Sequence, residues 1–236
     1  KALTILSGAP VLQVKAFQPH NAALILTRLP QTKDNLISKS ESVMRDRLAA
    51  MGAALASTVV VDHHSAEVAR EIARAAGEGR SPILVMGASA IVDRGDVIPA
   101  GVTEAGGEVL HLGMPVDPGN LLMLAQVGDT PVIGVPSCAR SPKVNGFDWV
   151  LERVVAGLAV TPSDVMDMGA GGLLAEIPSR PTPREGKGHI PEAPKVTALV
   201  LAAGLSSRMG ANKLLADYHG APLIAATLAQ VGPAPG

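Results

Sequence analysis

Apolar positions along the chain fall into two alternating rhythms. Ala22 to Thr27 (AALILT) is an unbroken apolar run of strand length. Ser38 and Glu41 have the spacing of a capping box, and a helix is expected from about Ser40, with Met44, Leu48, Met51 and Leu55 on one face. Thr58 to Val61 is β-branched and reads as a strand. Ser65 then caps a helix whose inward residues are Val68, Ile72 and Ala76. Ile83 to Met86 is a buried strand running into Gly87-Ala88-Ser89. A short helix over Val97 to Ala105 follows Asp96, and Glu108 to Leu112 is another strand. Leu121 to Gln126 and Pro131 to Val135 form a hairpin around Gly128-Asp129. Ser141-Pro142 opens the last major helix, with proline at its first position and a stripe of Phe147, Val150, Leu151, Val154 and Leu158.

Strands apolar on both sides, alternating with amphipathic helices, predict a three-layer α/β/α fold around a mostly parallel, mixed sheet. Ligands of such folds sit at the carboxyl ends of the strands, which directs attention to the loops after Thr27, Met86, Leu112 and Val135. The domain spans residues 22–177, and residues 1–21 extend from a preceding segment. Pro178, Pro181, Pro183, Pro191 and Pro194, with Gly186 and Gly188, make 178–195 a semi-rigid linker.

Composition narrows the function classes. The 236 residues are 47% hydrophobic and 17% charged, enough for a substantial core. A net charge of −1 and 2% aromatics give no footprint for nucleic acid or an anionic membrane. One cysteine excludes an internal disulfide and fits a reducing, cytoplasmic setting. There is no apolar run of about 18 residues and no signal-peptide pattern.

The most specific string is LVLAAGLSSRMGANK, residues 199–213. An apolar strand enters a loop of small residues, where backbone N–H groups can approach a polyphosphate. Gly204 and Ser206 stand in that loop, and Arg208 and Lys213 can neutralise the charge. The string resembles the opening signature of molybdenum-cofactor cytidylyl- and guanylyltransferases. A looser version opens methylerythritol-phosphate cytidylyltransferases and sugar-phosphate nucleotidyltransferases. The resemblance implies nucleotide binding by Gly204, Ser206, Arg208 and Lys213. The chain opens at Lys1 and ends at Gly236, whereas a nucleotide-binding α/β domain takes about 100–200 residues. Residues 196–236 therefore read as the truncated start of a nucleotidyltransferase domain, within a piece of a longer parent.

Three upstream loops belong together: GASAIVDRGDVIPAG (87–101), MPVDPGN (114–120) and GVPSCARSPKVNG (134–146). They resemble the molybdopterin-binding domain shared by molybdopterin adenylyltransferase and molybdotransferase. Gly87, Ala88 and Ser89 stand for that family's glycine-rich loop, and Asp96 for the acidic residue after it, with Arg94 beside it. Pro118-Gly119-Asn120 and the loop from Ser137 match its proline- and glycine-rich loops. The resemblance implies a ligand that is molybdopterin or the molybdenum cofactor, held by these residues with Arg140, Ser141, Lys143 and Asn145. Ser137, Ser141, Arg140 and Lys143 would add to an anion site before a helix N-terminus. Ser141 can equally be a plain cap. Asn120 and Asn145 can read pterin edges or serve turns. Asp96 can hold Mg²⁺ between phosphates, as a catalytic and metal residue, or cap a helix.

The chain departs from the pattern at Ala88 and Ala90, in LPQTKDNLISKS after the first strand, and by lacking a lysine after Pro118-Gly119. These departures weigh against adenylylation and metal insertion and leave binding. Cys138 reads as a small loop residue, and His63-His64 as solvated turn residues. Taken whole, the resemblance implies a molybdopterin-binding part of a parent that transfers CMP from CTP, with Mg²⁺, to the cofactor. A molybdoenzyme or its chaperone, and further copies of the chain, are the partners it allows. A methylerythritol-phosphate-type cytidylyltransferase parent and a non-catalytic scaffold that has lost its ligand are the alternatives.

Overall fold

The computed structural model describes residues 14–174, together with 217–218, 220–222 and 225. The chain divides into two compact units, Lys1–Arg180 and Pro181–Gly236. In the first unit the described elements are β1 (Asn21–Arg28), α1 (Asp34–Ala50), β2 (Ala54–Asp62), α2 (Ser65–Gly77), β3 (Ile83–Met86), α3 (Val97–Glu104), β4 (Glu108–Leu112), β5 (Met123–Val127), β6 (Thr130–Gly134), a 3₁₀ turn (Ser137–Arg140), α4 (Gly146–Val155) and α5 (Pro162–Asp167). In the second, β7 (Asp217–Tyr218) pairs antiparallel with β8 (Ala221–Pro222).

The six strands of the first unit form one sheet in the order β2-β1-β3-β6-β5-β4. Pairs β2/β1, β1/β3 and β3/β6 are parallel, whereas β6/β5 and β5/β4 are antiparallel. The hairpin around Gly128 reverses β5, so β4 again runs with the parallel strands. The fold is the mixed, mostly parallel α/β arrangement that the strand–helix alternation predicts.

The side-chain period of two divides the central strand between two cores. Ala22, Leu24 and Leu26 pack with Met44 and Leu48 of α1 and Phe147, Val150 and Leu151 of α4. Ala23 and Ile25 face the opposite way, onto Val68 and Ile72 of α2 and Ile98 and Val102 of α3. Each such fully buried aliphatic or aromatic side chain contributes about 1.5–3 kcal/mol. Helices therefore cover both faces, and both faces of the strands are apolar.

Three helices differ in their boundaries from the sequence reading. Helix α1 begins at Asp34, whose carboxylate suits the positive end of the helix, and the Ser38 hydroxyl inside it donates back to the Asp34 carbonyl. Leu55 is not on that helix but in β2. Ser65 is the first residue of α2 rather than its cap, which is His64 without a side-chain bond. The helix expected at Ser141 begins at Gly146 instead. Asn145 and Asp148 form its capping box: the Asn145 side chain accepts from the Phe147 amide at 3.0 Å, and Asp148 accepts from the Asn145 amide at 2.8 Å. Leu158 lies beyond the end of α4 and is 37% exposed.

Candidate functional site

The carboxyl ends of β1, β2 and β3 converge with the 3₁₀ turn after β6. Gly87 is the residue that follows β3. A Cβ there would lie 2.6 Å from the Ser89 carbonyl oxygen and 2.9 Å from Ile98 Cδ1, so the turn requires glycine. Arg140, at the end of the 3₁₀ turn, bonds to this loop. Its Nη2 donates to the Gly87 carbonyl at 2.9 Å and its Nε to Ser40 Oγ at 3.2 Å. Ser40 is 1% exposed and itself donates to the Leu36 carbonyl at 2.7 Å. The described residues give Arg140 no carboxylate partner. Burial pushes its guanidinium pKa down from the ordinary value, the signature of a positive charge held with neutral neighbours.

Beside it runs a chain of polar side chains. The Ala88 amide donates to Thr27 Oγ1 at 2.8 Å. Thr27 Oγ1 lies 2.7 Å from His63 Nδ1, and His63 Nε2 lies 2.8 Å from Ser89 Oγ. Thr27 is 1% exposed, His63 half-buried and Ser89 exposed at the rim. Burial lowers the His63 pKa; the nearby Asp96 charge opposes this and His64 adds to it. His63 is thus a member of the cluster, not the solvated turn residue expected from sequence. Thr27, Ser40 and His63 were all missed as site residues. The signal available for them was position, each being at or near the carboxyl end of a strand or on the helix facing one.

Asp96 occupies the N-cap position of α3 but makes no cap bond there. Its Oδ2 instead accepts the amides of Val92 and Asp93 at 2.7 and 2.9 Å, which lowers its pKa. The carboxylate closes its own loop. Among the described residues no group of three or more His, Cys, Asp or Glu side chains gathers to hold a metal. Arg94 also turns away, donating to the Val109 carbonyl on the edge strand β4 at 2.9 Å.

The other expected loops meet in a second cluster, at the start of α4. Gly119 has φ +133°, and a Cβ on it would stand 2.8 Å from the Gly146 nitrogen. The Gly146 amide donates to the Pro118 carbonyl at 2.8 Å. Asn145, 1% exposed, caps α4 and donates through Nδ2 to Cys138 Sγ at 3.1 Å. The helix terminus expected to receive an anion at Ser141 therefore lies further on and is satisfied by the protein. Arg47 of α1 fastens the intervening loop. It pairs with Asp148 at 2.5 Å and donates to the carbonyls of Ala139, Ser141 and Lys143 at 2.8, 2.8 and 3.2 Å. Ser141 Oγ accepts the Lys143 amide. Asn120, Ser137 and Lys143 are exposed, and the Asn120 carbonyl accepts the Met114 amide.

A cavity of about 320 Å³ opens at the opposite end of the sheet, between His20, Ser81, Leu124, Pro131 and Val154. It touches none of the residues above. Gly204, Ser206, Arg208 and Lys213 lie outside the described residues. Among the described residues no helix is long and apolar enough to cross a membrane.

Comparison with known proteins gives a match at the C-terminal end. Residues 198–236 match the MobA-like NTP transferase domain. No curated protein matches the chain. Among solved structures, a molybdopterin biosynthesis MoeA protein from Pyrococcus horikosii is similar at 20% identity and a TM-score of 0.41, over 65% of this chain. The chain spans 39% of that protein's length.

Proposed function

We propose that residues 22–177 bind a phosphate-bearing pterin of the molybdopterin class. We further propose that 178–195 link this unit to the start of a nucleotidyltransferase domain at 196–236. The parent would serve molybdenum-cofactor biosynthesis by transferring CMP from CTP to the cofactor's terminal phosphate. Attack of that phosphate on the α-phosphoryl group expels pyrophosphate. Gly204, Ser206, Arg208 and Lys213 would hold the triphosphate. The MobA-like match over 198–236 supports the nucleotidyl-transfer half. The likeness of the three loops to molybdopterin-binding domains supports the binding half.

The observation that carries the binding site is Arg140. A half-buried guanidinium whose partners are a carbonyl and a hydroxyl has its hydrogen-bond geometry fixed and its charge uncompensated. An anionic oxygen beside it gains more than it would in water, because the surrounding dielectric is low. These contacts support an anion site at Arg140 and the 87–89 turn, further back in the chain than Ser141.

Titration of the whole chain with molybdopterin tests this. Arg140→Met should weaken binding by one to two orders of magnitude, since a charged hydrogen bond contributes about 1.5–3 kcal/mol. Lys143→Ala should change it less than about threefold, as expected for an exposed, screened charge. Absence of binding by the wild type, or indifference to Arg140→Met, would leave a non-catalytic scaffold as the better account.

A further inference from the structure

We infer that Thr27, His63 and Ser89 form a directed hydrogen-bond chain that presents the Ser89 hydroxyl as a donor to an oxyanion of the ligand, with His63 as the residue that positions it. The inference rests on the anion-binding reading of Arg140 and adds a second donor, on the 87–89 turn itself, together with the group that sets its direction.

The direction follows from counting protons. Thr27 Oγ1 accepts the Ala88 amide hydrogen. Its own hydrogen is buried with it, and the acceptor that the described residues place within reach is His63 Nδ1, at 2.7 Å. If Nδ1 carried the imidazole proton, the Thr27 hydrogen would be left in the interior without an acceptor, a costly arrangement. Nδ1 is therefore the acceptor, and a neutral ring carries its hydrogen on Nε2. Burial favours that neutral ring. Nε2–H then donates to Ser89 Oγ across 2.8 Å. With one lone pair occupied by the histidine, the Ser89 hydrogen is left to point outward from an exposed side chain.

This polarity separates two chemistries that share one geometry. A serine–histidine pair at this distance would make a nucleophile if the histidine accepted the serine proton. Here the histidine donates, so Ser89 is a hydrogen-bond donor and not an activated alkoxide. A donor hydroxyl on the turn whose carbonyl holds Arg140 fits an oxyanion such as a phosphate monoester. Arg140 supplies charge, and Ser89 supplies a neutral donor with a defined direction.

Two measurements on the whole chain decide it. The first needs no ligand: long-range ¹H–¹⁵N correlation spectra of the His63 ring should show the Nε2–H tautomer. Thr27→Ser should retain it, and Thr27→Val should relax it toward a mixture. An Nδ1–H ring in the wild type overturns the inference outright. The second is titration with inorganic phosphate, read from the amide shifts of residues 87–90. Ser89→Ala should weaken binding about tenfold, the order expected for one hydrogen bond to a charged group. His63→Ala should weaken it about fivefold, whereas His63→Gln, whose amide can replace the Nε2–H donor, should stay within about twofold. Ser89→Ala binding phosphate as well as wild type, while Arg140→Met does not, overturns this inference and leaves the Arg140 reading standing. Sensitivity to Ser89→Ala with indifference to Arg140→Met does the reverse. A wild type that binds no phosphate removes both.

Discussion

Two polar clusters sit at the same end of the sheet, and they use their hydrogen bonds in opposite ways. Around α4, Asn145, Asp148, Arg47, Pro118 and Gly119 are bound to one another: a capping box, an ion pair, and a helix amide given to a neighbouring loop. Around β3, Arg140 keeps its charge beside neutral partners, and the chain from Thr27 ends on an exposed hydroxyl. Both clusters carry the glycines, serines and basic residues expected of a ligand loop. The difference between them is whether a group's bonding capacity is spent within the protein. On the proposed reading, that separates a loop-holding residue from a ligand-holding one more sharply than residue type does.

The comparison can be broken by exchanging which cluster matters for stability. The largest effect is expected from Arg47→Ala. Its ion pair with Asp148 is 11% and 17% exposed, so removing the cation leaves a largely buried carboxylate, and three carbonyls lose a donor. Chemical denaturation should show a loss of about 3 kcal/mol. Less than about 1 kcal/mol would mean that the second cluster does not hold the fold. Arg140→Met should do the opposite. Replacing an uncompensated, half-buried charge with an apolar side chain of similar length should leave stability within about 1 kcal/mol of wild type or raise it. A loss as large as that of Arg47→Ala would place Arg140 among the structural residues.

The smallest effect sharpens the first cluster. The folded-state pKa of His63 is depressed relative to its ordinary value, so the folded state binds fewer protons than the unfolded one. Its contribution is present above the ordinary histidine value of about 6.5 and is lost as pH falls through the folded-state pKa. Between about pH 7.5 and about pH 5.5, wild type should lose slightly more thermal stability than His63→Gln, as differential scanning calorimetry would show. Parallel curves would mean that His63 titrates as an ordinary surface histidine.

The layers of this fold were legible because they depend on short-range periodicity. Ala22/Leu24/Leu26 against Ala23/Ile25, and Val68 with Ile72, announce their faces within a few residues. Helix starts were less legible, because spacing alone does not say which way a side chain bonds. Ser38 and Glu41 have the form of a capping box, yet Ser38 bonds backward inside α1. Pro142 suits a first helical position, yet the box that opens α4 is Asn145 with Asp148, a pattern present in the sequence and passed over. In the candidate cluster, Gly87, Ala88, Ser89 and Arg140 stand in loops that the sequence singles out. It does not mark Thr27, Ser40 and His63 as members, because their partners lie far along the chain: 61 residues from Thr27 to Ala88, 100 from Ser40 to Arg140. For Asp96 the sequence does not show that two neighbouring amides bond its carboxylate.

The grip of Arg47 on the loop before α4 has a kinetic consequence. Three carbonyls and a carboxylate tie residues 139–148 to α1, so the segment that carries Arg140 is set before any ligand arrives. A receptor arranged in advance loses little freedom on association, and its encounters need no closing step. Capture should therefore be a single exponential whose rate rises linearly with ligand concentration, and the residence time should be governed by how fast Arg140 lets go.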